Sequence, residues 1–157
     1  MTSYPKYELN LHGYHMNEAL NIFLTFYNNQ ISMDKKDCFR LIHGYGSSGQ
    51  GGKIRVRLRQ FLKEHSECVS YKTGEEIENN PGATWIYPKS ILPSFENLLE
   101  SKILDFCSSP KTQKKIAGQF RVYGDQQVSQ AIKNLIKQNL LSMIWKGKHK
   151  CFIHSSS

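Results

Sequence analysis

Leu9-Asn10-Leu11-His12-Gly13 and Leu41-Ile42-His43-Gly44 are two apolar stretches that end in the same dipeptide, His-Gly. Around the first, Tyr7-Glu8-Leu9-Asn10-Leu11-His12 alternates apolar and polar residues with period two, a short strand closed by Gly13. Around the second, Cys38-Phe39-Arg40-Leu41-Ile42 is a nearly continuous apolar run, as expected of a parallel strand covered on both faces. Between them, Met16, Ala19, Leu20, Phe23, Tyr27 and Ile31 form one stripe of an amphipathic helix, with His15 and Glu18 at the offset of a capping box. A second helix is expected from about Lys53 to His65, burying Ile54, Leu58, Phe61 and Leu62. Val69 to Thr73 and Ala83 to Tyr87 read as two more strands joined through acidic turns. The order β-α-β-α-β-β predicts an α+β sandwich of a sheet and two helices.

A β-α-β crossover makes the first two strands parallel, so both His-Gly ends reach the same edge of the sheet. Ligands of open α/β sheets bind at that edge, which favours a functional site over two unrelated edge histidines. Glu8, Asn10 and His12 are expected on one face of the first strand. Next comes Gly44-Tyr45-Gly46-Ser47-Ser48-Gly49-Gln50-Gly51-Gly52, with five glycines in nine residues, opening a helix whose first turns carry Lys53, Arg55 and Arg59. Glycine lets backbone N–H groups approach an anion, and the helix N-terminus adds partial positive charge, so the loop is read as a phosphate cradle rather than a plain connector. Gly44-x-Gly46-x-x-Gly49 matches the dinucleotide fingerprint, but the loop runs on where that motif is already helical. The P-loop pattern fails, because Ser47 stands where its first glycine belongs.

Charge divides the chain. The 157 residues carry a formal net charge of +8. Residues 1–93 hold 11 Lys+Arg against 9 Asp+Glu, and residues 94–157 hold 10 against 4. The change follows Pro88 and Pro93, so a domain boundary is placed there, giving domains 1–93 and 94–157. No stretch is apolar enough to span a membrane, the start Met1-Thr2-Ser3-Tyr4-Pro5-Lys6 lacks a secretion signal, and four cysteines without a C-x-x-C pair read as reduced thiols of a cytoplasmic protein.

The second part reads as three helices and a hairpin. Glu96–Cys107 and Thr112–Phe120 are the first two helices, and Asp125 is the expected N-cap of the third. That helix buries Val128, Ala131, Ile132, Leu135 and Ile136, and its polar face includes Gln126, Gln127, Gln130, Lys133, Asn134 and Lys137. Leu140–Trp145 and Lys150–His154 form strands around the basic turn Lys146-Gly147-Lys148-His149. Three helices followed by a hairpin resemble a winged helix-turn-helix, with the third helix as reader and Lys146, Lys148 and Lys150 on the wing. Amides read base edges and lysines pair with phosphates, so this part is expected to bind nucleic acid, with a protein partner as the alternative.

Residues from about 7 to 93 resemble the Smr (small MutS-related) domain. Its L-D-L-H-G strand end stands here as Leu9-Asn10-Leu11-His12-Gly13, its H-G-x-G loop as His43-Gly44-Tyr45-Gly46, and its V-E-E-A-L segment as Met16-Asn17-Glu18-Ala19-Leu20. The resemblance implies a fold similar to the C-terminal domain of translation initiation factor 3. It also implies nucleic-acid binding, often with endonuclease activity: nicking of DNA or cleavage of RNA at stalled ribosomes.

The family's aspartate is Asn10 here. An amide is no general base and a poor Mg²⁺ ligand, so metal-assisted hydrolysis is disfavoured and no cofactor is expected. RNA offers a metal-free route through its own 2′-hydroxyl, and histidine, with an unperturbed pKa of ~6.5, suits proton transfer near neutrality. His12 is assigned as base, His43 as acid, Asn10 as an orienting or phosphate-binding group, and the Gly44–Gly52 amides with Lys53 as anion donors. His12-Gly13-Tyr14-His15 lacks neighbouring cysteines or carboxylates, so no metal site is expected. The alternatives are a non-catalytic module binding DNA, RNA or the ribosome, and a DNA-binding regulator whose first domain contacts another protein.

Overall fold

The computed structural model describes residues 4–45 and 51–155. The chain divides into two compact units, Met1–Ser94 and Phe95–Ser157. The first unit runs β1 (Tyr7–Asn10), α1 (Met16–Ser32), β2 (Phe39–Ile42), α2 (Gly51–Glu64), β3 (Val69–Thr73), α3 (Gly74–Glu78) and β4 (Ala83–Pro88). The strands form one mixed sheet in the order β1-β2-β4-β3. β1 pairs parallel with β2, whereas β4 pairs antiparallel with both β2 and β3.

Strand alternation decides which residues meet the helices. Phe39, Leu41, Thr84 and Ile86 lie on one face and are fully buried. Both long helices cover that face. Phe23, Phe26 and Tyr27 of α1 pack their rings on Phe39, and Arg59 of α2 reaches Thr84. β2 is therefore not covered equally on both sides. Its alternate residue Arg40 turns to the opposite face, pairing with Glu8 of β1 and with Glu78 at 2.7 Å. Burying a guanidinium without such partners would cost several kcal/mol, which is why this face tolerates a charge in mid-sheet.

The helices follow their sequence logic, with local corrections. α1 buries Ala19, Leu20, Phe23, Leu24 and Tyr27. His15 is its N-cap residue but makes no side-chain capping bond, so the expected capping box does not form. α2 buries Ile54, Leu58, Phe61 and Leu62. The acidic connection between β3 and β4 contains the short helix α3, capped by Thr73 and Glu76, which bond reciprocally to each other's backbone. After β4, Asn28 of α1 holds the Leu92 backbone through two hydrogen bonds of 2.9 Å, pinning the proline-flanked exit of the unit.

The second unit contains α4 (Phe95–Phe106), β5 (Lys111–Thr112), α5 (Gln113–Gln119), a 3₁₀ turn (Arg121–Tyr123), α6 (Asp125–Lys137), β6 (Leu141–Lys146) and β7 (His149–His154). β5, only two residues long, pairs with β7 and completes a three-stranded antiparallel sheet, β5-β7-β6. Leu99, Ile103, Ile116, Phe120, Val128, Ile132, Leu135, Leu141 and Phe152 belong to its core. Gly124, not Asp125, occupies the N-cap position of α6, at φ +90, and Asp125 starts the helix. Ile136, expected in the core, stays 39% exposed. The β6–β7 register pairs Lys146 with His149, leaving Gly147 and Lys148 as a two-residue turn. Gly147 has φ +62, the positive value that a II′ hairpin turn requires at its first central residue. Among the described residues no helix is long and apolar enough to cross a membrane.

Candidate active site

The β1 and β2 ladder runs past the last strand residues, with Leu11 N–H donating to the Ile42 carbonyl at 2.7 Å. There the two chains part. Just past β1 the Asn10 side-chain oxygen accepts the His12 backbone N–H at 2.9 Å, an Asx turn that bends the chain away from the ladder. Gly13, at φ +91, completes the bend. The result presents His12 exposed at the edge, and the exposed His15 follows at the start of α1.

His43 takes the other course. It shares the face of Phe39 and Leu41 and has 0% exposure. Its Nδ1 lies 2.7 Å from the Gly44 carbonyl and its Nε2 lies 2.8 Å from Thr84 Oγ1. A carbonyl only accepts, so Nδ1 carries the hydrogen, and Nε2 of the neutral ring accepts from the Thr84 hydroxyl. Thr84 Oγ1 in turn accepts from Arg59 Nε at 3.0 Å. Burial lowers the His43 pKa to about 4, helped by the positive charges of Arg59 and Arg55. His43 is thus neutral near pH 7, with both nitrogens occupied.

Arg59 is equally committed. Its guanidinium forms a bidentate pair with Glu75 at 2.7 and 3.0 Å and donates to the Ala83 carbonyl at 3.0 Å. Those hydrogen bonds from Arg59 draw the Glu75 pKa down to about 2. Glu75 belongs to α3, and α3 is placed by a close approach: a Cβ on Gly74 would lie 2.1 Å from the Asn80 carbonyl oxygen and 2.6 Å from that of Ala83. The Gly82 carbonyl accepts from both His43 N–H and Gly44 N–H, at 3.0 and 3.1 Å. One buried network thus fixes the root of the glycine loop.

Of the loop itself, Gly44 has φ +81 and Tyr45 is exposed. Gly46 and Gly49, expected to bind phosphate, lie outside the described residues. Gly51 and Gly52 begin α2. Lys53 is exposed and Arg55 half-buried. Both helix N-termini follow the carboxyl ends of parallel strands, so they open on the same edge. There a cavity of about 400 Å³ is lined by Met16, Gly52, Lys53, Val56, Arg57 and Gln60. Arg57 and Gln60 belong to no motif of the sequence. The signal was their spacing, since 53, 56, 57 and 60 make one helical face opposite the buried Ile54, Leu58 and Phe61.

The side chains around His12 do not suit a divalent metal. Asn10 offers one amide oxygen already bonded to His12 N–H, and Glu8 is paired with Arg40. Among the described residues no three of His, Cys, Asp and Glu converge as metal ligands.

In the second unit, Gln127, Gln130, Lys133 and Lys137 are exposed on α6, while Asn134 is half-buried and accepts from Gln130 Nε2 at 2.9 Å. Lys146, Lys148 and Lys150 are all exposed on the hairpin.

Known proteins bear on the first unit. Endonuclease MutS2 of Staphylococcus carnosus (strain TM300) is 33% identical over 79 residues, 50% of this chain and 10% of that protein. The chain therefore spans about a tenth of the length of that relative. The crystal structure of the Smr domain of Thermus thermophilus MutS2 is 23% identical with a TM-score of 0.44, covering 52% of this chain and 96% of that one. The Smr domain profile matches residues 9–89, the stretch that contains both His-Gly ends and the whole buried network behind them, and the chain belongs to the Smr domain family.

Proposed function

We propose that this chain is a nucleic-acid endonuclease whose first unit cleaves phosphodiesters, RNA or one strand of DNA, at the His12 edge, and whose second unit docks nucleic acid as a winged helix. The observation that carries the reading is the contrast between the two histidines. His12 is exposed and open to a substrate, whereas His43 is buried and hydrogen-bonded on both sides. A histidine neutral down to about pH 4 is a poor general acid at neutrality, so His43 is a positioning residue that sets the root of the glycine loop.

On RNA, His12 accepts the proton of the 2′-hydroxyl as its oxygen bonds to phosphorus. The bond from phosphorus to the 5′-oxygen breaks, and that oxygen takes a proton from His15, which stands exposed and makes no capping bond. Lys53 and the first amides of α2 stabilise the charge on the phosphoryl oxygens. Arg59, bound to Glu75, supports this site from behind and does not bind phosphate. The name of the relative, an endonuclease, supports this class of reaction. In the second unit, the three-helix and hairpin order and the exposed lysines support docking.

A second reading has its own support. Asn10 spends its amide oxygen on His12 N–H, a structural role that suits a binding module without chemistry. Incubating the purified chain with end-labelled RNA and with supercoiled plasmid, each in EDTA and in Mg²⁺, separates the two. Cleavage of either substrate supports the endonuclease, and binding without cleavage of both supports the module.

A further inference from the structure

Trp145 is 67% exposed and Met143 50% exposed, both on β6. Strand alternation places them on the face that also carries Leu141. The register sets Phe152 opposite Met143 and Lys150 opposite Trp145, with Lys111 of β5 on the other side of Phe152. Leu141 and Phe152 are buried in the core of the unit. The apolar stripe of the hairpin therefore continues past the core into solvent, ending in an indole. Lysines lie near that end: Lys150 across the strand on the same face and Lys148 in the turn, with Lys146 on the opposite face of β6. From residue 126 to residue 157 the sequence holds five lysines and no Asp or Glu.

We propose that Trp145 is a stacking platform for an unpaired base, so that the ligand of this hairpin is single-stranded nucleic acid. The inference rests on the reading that the second unit docks nucleic acid, and it names the form bound. An indole face stacks on any base, whereas in a duplex both faces of each base are already covered by neighbours. Lys150, across the strand on the same face, and Lys148 in the turn meet the phosphates flanking that base, and residues 126–157 contribute no Asp or Glu to repel them. Met143, beside the ring on the same face, extends the apolar contact.

The test uses the full chain and three probes of about 15 nucleotides: oligo(dT), 2′-O-methyl oligo(U), which lacks a free 2′-hydroxyl, and a DNA duplex. Trp145→Ala should weaken binding of one or both single strands roughly tenfold and leave the duplex unchanged, while Trp145→Phe keeps most of the affinity. Which single strand is bound more tightly tells DNA from RNA as the source. Binding should quench tryptophan emission in the wild type and not in Trp145→Phe, because Trp85 is buried in the other unit. Single-strand affinity unchanged in Trp145→Ala overturns the proposal, as does a duplex bound more tightly than both single strands and equally sensitive to that substitution. A triple variant, Lys146→Ala with Lys148→Ala and Lys150→Ala, separates the two levels. If it weakens binding and Trp145→Ala does not, stacking falls and docking stands. If neither changes binding, both fall, and a protein partner for the exposed indole takes their place.

Discussion

The Thr84 hydroxyl stands 2.8 Å from His43 Nε2, donating to it, and at the same time accepts from Arg59 at 3.0 Å. This makes the second histidine of the His-Gly pair a fixed part of the scaffold. Thr84→Val keeps the shape but leaves His43 Nε2 and Arg59 Nε without this partner, at a cost of about 1–3 kcal/mol. Urea unfolding followed by Trp85 emission in a Trp145→Phe background reads the first unit. Thr84→Ser, which keeps the hydroxyl, should stay within about 1 kcal/mol of the parent.

The depressed His43 pKa makes the first unit acid-sensitive. The unfolded chain binds a proton at His43 near pH 6.5 and the folded one only near 4, so the unfolded state holds more protons between those values. Stability from this group is complete above pH 6.5 and falls as pH drops toward 4, by on the order of 3 kcal/mol. Unfolding midpoints across that window should lose this slope in His43→Gln. An unchanged slope in the variant would assign the titration elsewhere.

Gly74 is held by backbone on two sides, so Gly74→Ala cannot be relieved by a side-chain rotation. The expected loss exceeds about 3 kcal/mol, enough to unfold a marginal unit, and circular dichroism of the purified variant reads it. Gly82→Ala meets its nearest atoms at 3.2 and 3.3 Å, both in side chains, and should cost less.

Two kinds of cation sit on α2. Lys53→Ala and Arg57→Ala, which remove charges lining the open cavity, should each weaken nucleic-acid binding and lower the salt slope by about one unit. Arg59→Ala should instead lower stability and leave the salt slope unchanged, because its guanidinium is spent on Glu75, Thr84 and Ala83. A lowered slope in Arg59→Ala would return it to the phosphate-binding set.

Apolar patterning made the four strands and the two long helices of the first unit legible: the helices bury one face, and β4 reads as an apolar run because it is buried on both. The same rule, applied one residue further, places His43 on the covered face with Phe39 and Leu41. The repeated His-Gly dipeptide makes the two histidines look equivalent, whereas the strand parity of His43 sets it apart from His12. Thr73 and Glu76 formed a readable capping signature for α3, but five residues are too few to show a helical period. The bond of Arg59 to Glu75 joins residues with no local relation in sequence, so only the assembled fold discloses it. β5 is a strand only because β7 lies beside it.

His12 is the centre of the proposed chemistry. The decisive measurement is the analysis of product ends from RNA incubated in EDTA with the wild type, His12→Ala and His15→Ala. The account predicts 2′,3′-cyclic phosphate ends from the wild type, none from His12→Ala, and slower release in His15→Ala. RNA cleavage that persists in His12→Ala, or that leaves 3′-hydroxyl ends and needs Mg²⁺, would contradict the His12 route, whatever enzyme class it supports.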